Sequence, residues 1–149
     1  MTKKTEKTEK TKIAFISGHL DLTEDEWLMY YREQICQAIL LGHDFIIGDA
    51  KGTDLRAQEL LKRFVRPVGA GENNVTVYHM LESARNNSGP FKTIGEFETD
   101  LERDSAMTAD SDYDIAWVRP GREKRGTAKN IKRRLLLNTS MVANKKGEY

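Results

Sequence analysis

The sequence predicts an α/β fold: a three-layer, Rossmann-like parallel sheet with helices on both faces. Three observations carry this. Ile13 to Ser17 (IAFIS) is an unbroken apolar run, the mark of a strand buried on both sides. Further short strand-like runs alternate with stretches whose apolar residues recur at helical spacing. Two strand ends lead into glycine-punctuated loops that open helices, one over residues 48–54 and one ending at Gly126-Thr127. Parallel strands need crossovers, so the alternation implies helices on both faces.

In chain order, residues 1–12 repeat Thr-Glu-Lys with no apolar residue after Met1, which predicts a disordered tail. The first strand ends at Ser17-Gly18-His19. Thr23 and Glu26 form a capping-box pattern, and Trp27, Tyr31, Ile35, Ala38 and Ile39 follow on one face of a single predicted helix closed by Gly42. Phe45 to Ile47 is the second strand and runs into Gly48-Asp49-Ala50-Lys51-Gly52-Thr53-Asp54. The next helix places Ala57, Leu60, Leu61 and Phe64 on one side. Residues 65–74 read as a loop and Val75 to Tyr78 as a third strand. Residues 80–100 show no clean periodicity and are either a lid over a site or a surface excursion. Glu102 to Ala109 predicts a short helix, Asp114 to Val118 a fourth strand, and Gly126 the start of a last helix. The domain is expected to span 13–140, with a C-terminal tail over 141–149.

At 149 residues the chain is long enough for one domain with a proper core. With 24 basic and 23 acidic residues, net charge gives no ground for a general nucleic-acid binder. The basic residues are concentrated late in the chain. Between 119 and 134 stand eight of them against one acid, Glu123. The single cysteine, Cys36, excludes an internal disulfide and fits a cytoplasmic setting. No apolar run is long enough to cross a membrane, and no metal or cofactor site is read from the sequence.

In open parallel sheets, ligands bind beyond the carboxyl ends of the strands, where strand order reverses. If the first and fourth predicted strands flank that point, Ser17, Gly18 and His19 share a crevice with Pro120 and Gly121, and the 48–54 loop lines it. The start of the last helix, Gly126, Thr127 and Ala128, offers unpaired N–H groups and the positive end of a dipole to a phosphate. Arg119, Arg122 or Arg125 would help. Gly48, Gly52 and Thr53 would bring backbone close to the ligand, and Asp49 or Asp54 would meet a ribose hydroxyl or act as a catalytic group. Thr53 or Asp54 can equally be helix caps. Asp54 is the best-placed acid for chemistry at a sugar. His19 is either a proton donor, as its ordinary pKa allows, or a polar surface residue.

Taken together, these loops resemble the SLOG superfamily of Rossmann-like nucleotide-binding proteins. That superfamily includes the lonely-guy phosphoribohydrolases and DNA-processing protein A, and is related to the nucleoside deoxyribosyltransferases. The matching residues are Gly48 to Asp54, Arg103 with Met107, Asp114-Ile115-Ala116-Trp117, and Gly126-Thr127-Ala128. The resemblance implies a nucleotide or nucleoside-phosphate ligand and, by analogy, a homo-oligomer. It also implies N-glycosidic bond hydrolysis, with one departure. Asn130 stands where the glycosidases carry a glutamate, and an amide is neither a good nucleophile nor a base. The alternative reading is a nucleic-acid-associated module whose 119–134 surface tracks a phosphate backbone. That stretch lacks the interleaved aromatics that single-strand binding favours.

Overall fold

In a computed structural model of the chain, residues 12–64, 74–88 and 91–147 are described. The expected tail over 1–12 and loop over 65–74 lie almost wholly outside them. Five parallel strands form one sheet: β1 (Ile13–Ile16), β2 (Asp44–Gly48), β3 (Val75–Met80), β4 (Lys92–Phe97) and β5 (Tyr113–Ile115). Their order is β4-β3-β2-β1-β5. The chain leaves β1 on one side toward β2 and returns to its other side as β5, so strand order reverses between β1 and β5. The fold is the three-layer α/β arrangement that the sequence predicts.

One face of the sheet is covered by α1 (Glu24–Tyr30), α2 (Arg32–Leu40) and α3 (Thr53–Phe64). Ala14, Ile16, Phe45, Ile47, Val75 and Val77 project into this layer and meet Trp27, Tyr31, Ile35 and Leu61. The alternate strand residues Phe15, Ile46 and Tyr78 face the other way and meet Met107 of α4 (Asp100–Ala109). The period of two in a strand sends neighbours to opposite faces, so a continuous apolar run fills both layers. Beside α4 lies α5 (Gly126–Gly147).

Local signals act as their chemistry dictates. Thr23 and Glu26 close a reciprocal capping box at the start of α1. Gly42 follows α2 with φ +80°, the left-handed turn that glycine permits. The single predicted helix after Thr23 is instead two, broken at Tyr31 (φ −125°, ψ −54°). The break coincides with the residue whose phenol is bonded to the ends of β1 and β5.

The predicted excursion over 80–100 contains a strand that the pattern hides. β4 is an edge strand with mostly exposed side chains, so it lacks an apolar face to read. Its Gly95 lies against the His79 ring, and a Cβ there would fall inside ring contact. The connection before it is no lid. Arg85 and Asn86 are bonded to Asp49, and Ser88 to Gln58. β5 is shorter than predicted because the N–H of Trp117 turns to the Tyr31 hydroxyl. The last helix runs on to Gly147, past the predicted start of a tail at 141.

Candidate functional site

A cavity of about 520 Å³ opens beyond the carboxyl ends of β1 and β2, on the side of α4 and α5. Its floor is Phe15, Ile16 and Met107, which are in the core. Ser17, Gly18, His19, Leu20 and Asp21 form one wall. Gly48, Ala50, Lys51 and Asp54 form the second. Arg103 and Asp104 of α4 form the third, and Arg122, Arg125, Gly126, Thr127 and Asn130 the fourth. The sheet places the first two walls side by side because β1 and β2 are paired in register, Ile16 opposite Ile47.

The two loops at the strand ends are tied to each other. The carbonyl of His19 accepts from the Thr53 N–H at 3.1 Å and from its hydroxyl at 2.9 Å. Thr53 is therefore a fastener between loops, not a ligand contact. Gly52 sits at φ +76° with its α-carbon against the His19 and Leu20 carbonyls. Neither residue lines the cavity. Pro120, Gly121 and Ala128 also stand outside it, and so does Arg119. Of the residues predicted for binding, Ser17, Gly18, Gly48, Arg122, Arg125, Gly126 and Thr127 are brought together there.

The two candidate aspartates separate. Asp49 is 1% exposed and points away from the cavity. Its Oδ2 accepts from the Arg85 N–H and its Oδ1 from the Arg85 guanidinium, both at 2.8 Å. Burial works to raise its pKa, but the bonds from Arg85 and the charge of Arg103 hold it below the ordinary value. Asp49 thus anchors the chain between β3 and β4, and the catalytic role predicted for it is not supported by its position.

Asp54 does face the cavity. Its Oδ2 accepts from the N–H of Ala50 at 3.2 Å, reaching back across the turn and not capping α3. Gly48 leaves room for it: a Cβ there would stand 2.5 Å from that same oxygen. Loss of water around the carboxyl pushes its pKa up to about 7, against the Ala50 hydrogen bond and the Arg103 charge, which lower it. A carboxyl so poised holds or releases a proton at neutral pH, as a general acid or base requires.

The linkage has a definite sign. Below about pH 4 the group is protonated in both folded and unfolded chains and costs nothing. Between the unfolded value of 3.8 and the folded value near 7, the fold holds a proton that the unfolded chain releases. Above that window the buried carboxylate carries its full cost. Asp54→Asn keeps the acceptor for Ala50 and removes the charge. It should therefore stabilise the protein at pH 8 by on the order of 3 kcal/mol and have little effect at pH 4. Denaturant melts of parent and variant at the two pH values check this; an equal effect at both would mean that Asp54 keeps an ordinary pKa.

His19 lines the cavity but is committed to structure. Its Nε2 accepts the N–H of Arg119 at 2.9 Å, so the neutral ring carries its proton on Nδ1. Its ring meets Trp117 edge-on at 5.8 Å. Burial first, then the charges of Arg119 and Arg122, lower its pKa. The imidazole is held in the form that joins the first loop to the last, a poor starting point for a proton donor.

Half of the basic stretch is internally bonded. Arg119 binds Glu26 (Nε to Oε2, 2.8 Å) and Asp21. Arg122 also binds Asp21, and Arg133 binds the Asn130 amide oxygen at 2.7 Å. Arg134 is buried against Asp114 and Ser111. Arg125 lines the cavity and has no carboxylate partner among the described residues. Asp21, Lys51 and Asp104 are site residues that sequence reasoning missed. Lys51 stood inside the 48–54 motif without being singled out, and Asp21 and Asp104 stood only near Gly18 and Arg103.

Ser17 is the remaining group of note. It is 7% exposed, and its hydroxyl has no hydrogen-bond partner among the described residues. Among those residues, no cluster of His, Cys, Asp and Glu is arranged to hold a metal, and no helix is long and apolar enough to cross a membrane. Comparison of the chain with protein-family models, curated proteins and solved structures returns no match.

Proposed function

We propose that the chain binds a nucleoside phosphate in this cavity, in the manner of the SLOG proteins that its loops resemble. The observation that carries the reading is the pairing of two features on one cavity. One is the start of a 22-residue helix at Gly126. The other is the buried, unpartnered hydroxyl of Ser17. A helix start supplies N–H donors and a positive potential, and an orphan hydroxyl supplies a donor that a ligand oxygen would satisfy. Arg125 adds an uncompensated charge at that end. Asp54, across the cavity, is the group for a sugar hydroxyl.

Phosphate-backbone binding by the 119–134 surface is less well supported, because Arg119, Arg133 and Arg134 already have partners within the chain. Salt separates the two readings. Backbone binding weakens steeply with added salt through counterion release, and a mononucleotide in a pocket responds far less.

A second reading, hydrolysis of the N-glycosidic bond, is favoured by the elevated pKa of Asp54. In it Asp54 takes a proton from a water that attacks the anomeric carbon. The carbon–nitrogen bond breaks toward the base, which is protonated from solvent. Asn130 cannot carry the sugar covalently, so base exchange between deoxynucleosides is expected to be absent.

The test is a thermal-shift and calorimetric panel of nucleosides and nucleotides, with chromatography of the same mixtures for free base. Gly126→Val is the informative variant. A Cβ at Gly126 meets no protein atom within 4 Å, so the fold should be kept while the added side chain takes the ligand's space. Loss of nucleotide binding at an unchanged melting temperature is expected. Unchanged affinity would put the phosphate elsewhere.

A further inference from the structure

We infer that Asp21 is a specificity-determining residue of the cavity, an internal carboxylate on the Arg122 fork that an incoming phosphate must displace. The inference rests on the nucleoside-phosphate reading above. Asp21 stands between two guanidiniums. Arg122 meets it end-on, Nη1 to Oδ1 at 3.3 Å and Nη2 to Oδ2 at 2.9 Å. Arg119 reaches the same two oxygens from Nη1, at 3.1 and 3.2 Å. Asp21 and Arg122 both line the cavity, together with Arg125 and Gly126. The two-pronged face that Arg122 turns to Asp21 is also the face a guanidinium offers a phosphate.

A phosphate at the start of α5 therefore meets a carboxylate beside the cation it would use. Protonation does not relieve the conflict. The hydrogen bond from Arg122, with those from Arg119, holds the Asp21 pKa at about 2, against a smaller opposing effect of desolvation. One of the two anions has to yield, and Asp21 is able to. Its side chain is 57% exposed, on a loop. Arg119 keeps Glu26 as a partner when Asp21 withdraws, through contacts of 2.5 and 2.8 Å. Arg122 has no other carboxylate among the described residues and is left to the phosphate. The exchange favours a dianionic phosphate over weaker anions, because the ligand has to outcompete a resident single charge. A neutral nucleoside leaves the pair untouched.

Calorimetric titrations of inorganic phosphate, nucleoside 5′-monophosphates and the matching nucleosides test this on the full chain. The proteins compared are the parent, Asp21→Asn, Arg122→Gln, the double variant and Asp25→Asn. Asp25 is exposed in the first turn of α1, outside the cavity, and controls for net charge. Asp21→Asn is expected to tighten phosphate and nucleotide binding by about fivefold, the scale of an exposed ion pair, without changing nucleoside binding. Asp25→Asn should bind as the parent does, and adding Arg122→Gln should erase the gain. If the parent binds nucleotide and Asp21→Asn binds it equally or more weakly, the inference is overturned and the nucleotide reading stands. A gain that survives Arg122→Gln, or that Asp25→Asn reproduces, also overturns it. If none of the proteins binds any of the ligands, the nucleotide reading itself fails and takes this one with it.

Discussion

Gly52→Ala is expected to be the most damaging small substitution on the cavity side of the sheet. Gly52 has φ +76°, where a side chain is strained whatever the space around it. Here the space is also taken. The new Cβ would stand 2.6 Å from the His19 carbonyl oxygen and closer still to the Leu20 carbonyl. Those are backbone atoms of the opposite loop, and they cannot swing aside as a flexible side chain would. Backbone strain and overpacking each cost about 1–3 kcal/mol, so a loss of roughly 3 kcal/mol or more is expected in urea melts. Gly121→Ala is the matched control. It has φ +93° but nothing within 4 Å of its Cβ position, so it should show the backbone cost alone. If the two variants lose the same stability, the loops at 19–20 and 50–53 are not in tight contact. The damage should extend to ligand binding, because the Thr53 bonds to His19 hold two cavity walls at their spacing.

Tyr31→Phe should cost about 2 kcal/mol and loosen the cavity at its first wall. The phenol is 1% exposed, donates to the Ser17 carbonyl at 2.8 Å and accepts from the Trp117 N–H at 2.9 Å. It thus joins the chain leaving β1 to the chain leaving β5, one step past the backbone bond from the Ser17 N–H to the Ile115 carbonyl at 3.2 Å. Burial, the largest influence on the group, holds its pKa well above the ordinary tyrosine value, so the bridge stays protonated throughout the neutral and mildly alkaline range. Removing the hydroxyl leaves a buried carbonyl and an N–H without a partner, and that is where the cost comes from. Equilibrium denaturation measures it. A variant as stable as the parent would mean that water or a shift of the 17–19 loop satisfies both groups. Ligand affinity should fall alongside stability, since Ser17 and Gly18 belong to the segment the phenol holds.

The sheet and its site were legible in the sequence to different depths, for reasons that particular residues show. The apolar run at Ile13, the capping box at Thr23 and the glycines at 42, 48 and 52 act through local chemistry. Each constrains its own few residues whatever surrounds them. With the strand-helix alternation they are enough for a parallel α/β sheet, but the crevice expected between the first and last strands opens instead beyond β1 and β2, without Pro120 and Gly121. β4 escaped because an edge strand with exposed side chains has no apolar face to repeat.

Tertiary structure alone decided which acids belong to the cavity. Asp49 and Asp54 stand five residues apart in one loop, yet Arg85 draws the first away while the turn at Ala50 folds the second inward. Asp21 and Arg122 are about a hundred residues apart in the chain, so no spacing rule could pair them. His19 read from sequence as a proton donor or a surface residue, and became a fixed acceptor only when Arg119 arrived beside it. The sequence by itself determined most of the elements and the end of the sheet where the cavity opens, because backbone propensity and apolar period act over a few residues. Charge pairing acts across space, and it was the meeting of distant loops that assigned each ionisable group its partner, its pKa and its place in or out of the cavity.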